Sequence, residues 1–180
     1  MQEFSVKVKP QNRKAHVLCV AFLIVAAILF ATRFVVDKHQ GIIDLGTLGF
    51  ITASVFLYTK YVSAVYYYDT MSTAEGEWLF IVRKVIGKRS DTLCRIAYAE
   101  ILSIKKETKD ERKAHKTPRG TMKYFYTPTL FPEKVYRIQS RSAYERAEIV
   151  IECQDELAAM IGTWAREERE RLAREEYEDE

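Results

Sequence analysis

The chain has 180 residues, with 28 Lys and Arg against 25 Asp and Glu, a formal net charge of +3, and 3 cysteines. Setting aside the apolar segment 15–64 leaves room for one small domain with its own core and not for two. Cys19, Cys94 and Cys153 stand far apart, a usage that excludes a disulfide framework and fits a reducing compartment.

Charge is distributed unevenly. Residues 61–123 carry 13 Lys and Arg against 8 acids, and 155–180 carry 4 Arg against 10 acids. The near-neutral mean hydropathy, −0.21, averages an apolar segment with a strongly charged end. Residues 1–14 hold Lys7, Lys9, Arg13 and Lys14 against Glu3, with Pro10 discouraging a long helix. They are expected to form a frayed cytoplasmic lead-in.

Residues 15–32 are uncharged and would make a helix of roughly 27 Å, close to the ~30 Å hydrocarbon thickness of a bilayer. A second apolar run, 45–59, reaches spanning length by taking in Ile42 and Ile43 and passing Lys60, whose ammonium can extend to the headgroups. The sequence therefore predicts a transmembrane hairpin over 15–64, with spans at about 15–34 and 42–64 and a polar link of Arg33, Asp37, Lys38 and His39. Small residues (Ala21, Ala26, Ala27 and Ala31 in one span, Gly46 and Gly49 in the other) suit either a close helix pair or a lipid-facing surface. Lys and Arg concentrate before the first span and after the second, which predicts a multi-pass cell-membrane protein with both termini cytoplasmic. The long core, the poor cleavage site at 30–32 and the second apolar run argue against a cleaved signal peptide.

From Val65 the period becomes that of strands. Runs at 66–68, 78–86, 93–98, 101–104, 122–127, 135–140 and 147–153 give seven, with Met122, Tyr124 and Tyr126 sharing one face and Glu148 and Glu152 pointing outward. Residues 105–120, polar and closed by Pro118 and Gly120, read as an exposed loop. A final helix opens at Asp155 as N-cap and carries Leu157, Met160, Ile161 and Trp164 toward the sheet. Beyond Trp164, Glu167 with Arg171 and Glu170 with Arg174 are spaced as ion pairs, and the last six residues are expected to fray. The predicted class is α+β: lead-in 1–14, hairpin 15–64, a strand-rich domain 65–166 and a charged helical tail 167–180.

Seven strands followed by one amphipathic helix with a central Trp resembles the pleckstrin-homology fold. With two spans attached, the chain is similar to bacterial PH-like domains of small membrane proteins. The residues that carry the likeness are G-K-R-S at 87–90, I-A-Y-A-E-I-L-S-I at 96–104 and the helix segment 160–164. The resemblance implies a barrel or sandwich of two near-orthogonal sheets capped by the helix, and a binding scaffold without catalytic residues or cofactors. Lipid-reading members of that fold hold inositol phosphates with basic residues around the first β-turn, where this chain has Glu75 and Glu77.

The strongest charge signal is the basic set Arg83, Lys84, Lys88, Arg89, Lys105, Lys106, Lys109, Arg112, Lys113, Lys116, Arg119 and Lys123. Tethered to a leaflet of anionic phospholipid, each such residue could contribute about 1 kcal/mol; the competing reading is a solvated loop interspersed with Glu107, Asp110 and Glu111. Leu130 and Phe131, between Pro128 and Pro132, form an apolar tip that suits a bilayer, a partner or a neighbouring strand equally. Trp164 reads as the structural plug of the fold. Tyr124 and Phe125 could stack on bases, but strand alternation accounts for them and no nucleic-acid partner is expected. His16, His39 and His115 are too dispersed to converge, Cys94 and Cys153 suit a core, and no phosphate loop, metal-ligand spacing or nucleophile elbow is present. The expected function is non-catalytic: a membrane-held scaffold or regulator that binds a protein partner or itself, with an anionic-lipid sensor acting through 105–123 as the alternative.

Overall fold

The computed structural model describes residues 2–8, 12–36, 39–142 and 145–178. The chain forms two compact units, one helical and ending at Ala64, the other made of the first strand together with everything from Val65 onward.

In the helical unit, α1 (Arg13–Thr32) and α2 (Gln40–Leu57) pack against each other, and α2 runs on through a π-helical turn, Tyr58–Val62. Both are long and apolar enough to cross a membrane, at 20 residues and, with the π turn, 23. Ser54 and Cys19 exchange hydrogen bonds with each other's carbonyls, at 3.0 Å from the hydroxyl and 3.6 Å from the thiol. Phe22 meets Phe50 edge-on at 5.6 Å, and Leu29 Cδ1 lies 3.5 Å from where a Cβ on Gly46 would be. Ala26 and Gly46 thus belong to the helix contact, whereas Ala27 and Ala31 are exposed and Gly49 faces open space. Arg33 pairs with Asp44 at 3.4 Å across the link; Asp37 and Lys38 lie outside the described residues.

The second unit is α+β, with two four-stranded sheets among the described residues. Sheet A has the order β1-β2-β3-β4: β1 (Phe4–Val8), β2 (Ala64–Ser72), β3 (Trp78–Ile86) and β4 (Arg89–Ala97). Sheet B has the order β5-β7-β8-β6: β5 (Ile101–Glu107), β6 (Thr121–Tyr126), β7 (Val135–Arg141) and β8 (Arg146–Glu152). Among the described residues eight strands replace the expected seven, because Phe4–Val8 of the lead-in, expected to fray, forms a strand. Phe4, Val6 and Val8 alternate with polar residues, and β1 pairs antiparallel with β2 from Phe4↔Thr70 to Val8↔Tyr66. The helical segment is therefore an insertion between two hydrogen-bonded strands. Between β3 and β4 the hairpin turns at Gly87, whose φ of +60° places it where a side chain is strained.

Two further expectations change. The segment read as a loop holds the end of β5 and a short helix, α3 (Lys109–Ala114), because Thr108 and Glu111 form a reciprocal capping box. And β6 runs parallel to β8 at the edge of sheet B, where Met122 and Tyr124, expected to share one face with Tyr126, are exposed and Tyr126 is half-buried.

The core lies where Tyr68, Phe80 and Tyr98 are fully buried, Phe80 sitting between the other two rings at 6.1 and 6.2 Å. The Tyr68 hydroxyl donates to the Glu152 carbonyl at 3.1 Å and that of Tyr126 to the Leu93 carbonyl at 2.8 Å, each bond joining one sheet to the other. Helix α4 (Asp155–Glu178) covers this core with Leu157, Ala158, Ile161 and Ala165 buried. Trp164, half-buried, packs against Tyr98 at 6.0 Å and Phe4 at 5.4 Å. The helix continues to Glu178, within the stretch expected to fray, and residues 179–180 lie outside the described ones. The spaced ion pairs are not those formed: Arg171 bonds Glu168 and Glu175, both at 2.7 Å, and Arg174 donates to the Glu170 carbonyl.

A Cβ on Gly162 would stand 3.0 Å from Ile104 Cγ2, so α4 approaches β5 through a missing side chain. Gly162→Val should destabilise the full chain by roughly 1–3 kcal/mol through overpacking, despite the helical cost of glycine, read as a lowered melting temperature in detergent.

Candidate binding surfaces

The basic residues singled out in the sequence do not form one patch. Arg83 on β3 is bound by Asp69, a buried carboxylate that also accepts from Ser5 on β1, and its guanidinium lies 5.6 Å from the Tyr67 ring. Arg89 pairs with Asp91 at 3.0 Å, and Lys84 and Lys88 lie on the same β3–β4 hairpin. On β5, Lys105 is exposed and Lys106 bonds Asp155 at 2.9 Å. Asp155, expected as the N-cap, is the first residue of α4, and the helix opens on the bond from Ala158 N–H to the Gln154 carbonyl at 3.1 Å; Tyr136 first, then Lys106 and Lys134, hold the Asp155 carboxyl well below the usual range. Arg112 and Lys113 are on α3, with Lys116 and Arg119 in the exposed stretch after it.

Beneath that stretch lies a charge cluster with no counterpart in the sequence reading. Arg137 on β7 is 4% exposed, Glu107 on β5 9% and Glu148 on β8 2%. Register puts the two carboxylates diagonally across from Arg137, since Glu107 opposes Val135 and Arg137 opposes Val150, so all three share one face. Arg137 grips Glu107 through Nε and Nη2, the latter at 2.9 Å, and donates to Glu148 through Nη1. His115 Nε2 is 3.0 Å from both Glu148 oxygens, and Thr117 donates to the same carboxylate at 3.3 Å. His115 and Thr117 therefore pin the post-α3 segment over Glu148, which is why that residue is buried although it points away from the core. Burial alone would raise the Glu148 carboxyl, but the His115 contact and the Arg137 charge outweigh it and hold it below its ordinary value. A cleft of about 400 Å³ opens beside the cluster, lined by Ser103, Lys105, Glu111, His115 and Gln139 among others.

A second cleft, of about 530 Å³, brings together two features that are remote in sequence. Lys109, Asp110, Arg112 and Lys113 of α3 form one wall, and Leu130, Phe131 and Pro132 of the β6–β7 loop form the other. Phe131 is 64% exposed. Arg112 Nη2 makes a long contact to the Pro132 carbonyl, 3.5 Å, while its Nε is shielded from solvent and has no acceptor among the described residues.

No known protein family, characterised protein or solved structure matches the chain.

Cys94 and Cys153 are held as thiols at neutral pH. Burial pushes Cys94 up to about 11 and Cys153 up to about 12, the latter aided by Asp155 and Glu152. His115, expected only not to meet His16 or His39, meets Glu148. The overlooked signal was an ionised residue inside each of two strand runs, Arg137 and Glu148, since such charges must find partners when buried; Glu107 fell in the segment read as a loop.

Proposed function

We propose that the chain is a membrane-anchored, non-catalytic scaffold built on a PH-like domain, which holds a protein partner at the cytoplasmic face of the cell membrane. The open edge of sheet B carries this reading. β6 pairs with β8 on one side alone among the described residues, and Met122 and Phe125 project from it 56% and 57% exposed. An extended segment of a partner can add to such an edge through its backbone and seat side chains on these apolar ones.

Anchoring draws support from α1 and α2, and two crossings suit the strand pairing. A chain that leaves the sheet after β1 must return to the same side of the bilayer to pair as β2. The Lys and Arg residues that flank the hairpin favour the cytoplasm for that side. The PH-like assignment draws support from two sheets followed by a helix that packs Trp164 on the core, while β1 is an addition to the seven-strand pattern and β6 departs from it by pairing parallel to β8.

A photoreactive residue at position 125 of the full chain, irradiated in native membranes, should capture one partner in fixed stoichiometry. Position 163, exposed on α4, should capture none, and Phe125→Asp should abolish the complex. Equal capture from both positions would exclude β6 as the docking edge.

The alternative, an anionic-lipid sensor acting through 105–123, is favoured by one observation: the second cleft joins the cations of α3 to the apolar tip at Phe131.

A further inference from the structure

Sensing of anionic lipid, if diffuse, would need only a positive surface. The cleft between α3 and the β6–β7 loop is more specific than that, and resting on the lipid reading, we infer that it is a headgroup site for a single anionic glycerophospholipid. Arg112 takes the phosphodiester at the cleft floor, Lys109 and Lys113 neutralise it from the rim, and Phe131 with its neighbours receives the glycerol and the first acyl carbons.

Three observations converge on this assignment. First, the Arg112 Nε–H is shielded from water without an acceptor among the described residues, and Nη2 has a contact at the limit of hydrogen bonding. A buried guanidinium donor left unmade is costly, and a phosphate oxygen satisfies it with a charge-assisted bond. Second, the cations here are unclaimed: Lys109 and Lys113 pair with no carboxylate among the described residues, whereas Arg83, Arg89, Lys106, Lys134, Arg137 and Arg171 all do. Asp110 is the one acid in the lining. Third, the cleft is two-sided. A free phosphate would use the α3 wall and leave the apolar wall in water, but an amphiphile covers both, and about 530 Å³ admits a headgroup and its glycerol. The site lies away from the β2–β3 turn, where Glu75 and Glu77 are exposed and would repel an anion.

The test uses the full chain in neutral detergent micelles with ¹⁵N-labelled arginine, following the Arg112 Nε–H resonance. Short-chain phosphatidylglycerol should shift it saturably, at concentrations about tenfold lower than phosphatidylcholine of the same chain length or inorganic phosphate require. Arg112→Gln should abolish the response. Lys113→Gln, exposed and harmless to folding, should weaken it about fivefold, and Phe131→Ser should weaken phosphatidylglycerol alone about tenfold. Arg119→Gln removes a charge from the same strap outside the cleft and should stay within about twofold of wild type. If Arg119→Gln and Lys113→Gln lose equally, the site is overturned while diffuse lipid attraction survives. If phosphate and phosphatidylglycerol bind alike, the lipid assignment is overturned; if neither shifts Arg112, both the site and the lipid reading are.

Discussion

Arg137→Met should destabilise the domain by about 3–5 kcal/mol, the largest loss expected from one surface-remote charge. The substitution keeps much of the side-chain volume but leaves Glu107 and Glu148 buried beside each other without their cation. In detergent this should appear as a fall in melting temperature of roughly 10 °C or more. The pH dependence has a defined sign. In the native chain the Glu148 carboxyl is held below its ordinary value, so its contribution is complete at neutral pH and declines as pH falls below the usual glutamate range toward that lowered value. Without Arg137 the burial effect prevails and the carboxyl should rise. The deficit of the variant should then narrow on acidification, whereas a simple packing defect would keep it constant. Replacing Glu107, Arg137 and Glu148 together with apolar residues of matching volume should recover most of the loss. A deficit that persisted in the triple variant would show that the cluster does more than neutralise itself.

Phe80→Ala should cost about 3–5 kcal/mol as well, for a different reason. The ring is fully buried between Tyr68 and Tyr98, and the tyrosines cannot collapse into its space, because Tyr68 is tied to the Glu152 carbonyl and Tyr98 to Thr70 at 2.6 Å. Phe125→Ala removes the same atoms from an exposed position on β6 and should change stability by less than about 0.5 kcal/mol. The pair separates fold from function: chemical denaturation should register the first and ignore the second, while capture of a partner at the β6 edge should fail with the second alone. A large stability change in Phe125→Ala would place that ring in the core instead of on a docking edge.

Continuous apolar length made the helical hairpin legible, and residue period the seven strands and the amphipathic start of α4. What they missed depends on partners distant in sequence. Phe4, Val6 and Val8 alternate as a strand does, but five residues gain a place in a sheet only when β2, over fifty residues later, supplies an edge. Thr108 and Glu111 announced α3 through their capping spacing, which the density of charge around them obscured. Lys106 and Arg83 looked like free cations until the fold brought Asp155 and Asp69 to them. The cleft residues Arg112, Lys113, Leu130 and Phe131 were each visible as chemistry, but the contact between α3 and the loop after β6 is a product of tertiary packing that no local pattern encodes.

The interrupted pairing of β1 with β2 has a bearing on biogenesis. Translation at about 5–20 residues per second exposes β1 several seconds before its mate emerges, and in the proposed membrane-anchored arrangement both helices must insert in that interval. Should one helix fail to enter the lipid, the two strands would finish on opposite sides and sheet A would keep a raw, adhesive border. On that proposed arrangement, correct threading is written into the maturation of the strand-rich unit, and a mis-inserted nascent polypeptide would present an unfinished border to cellular proteases.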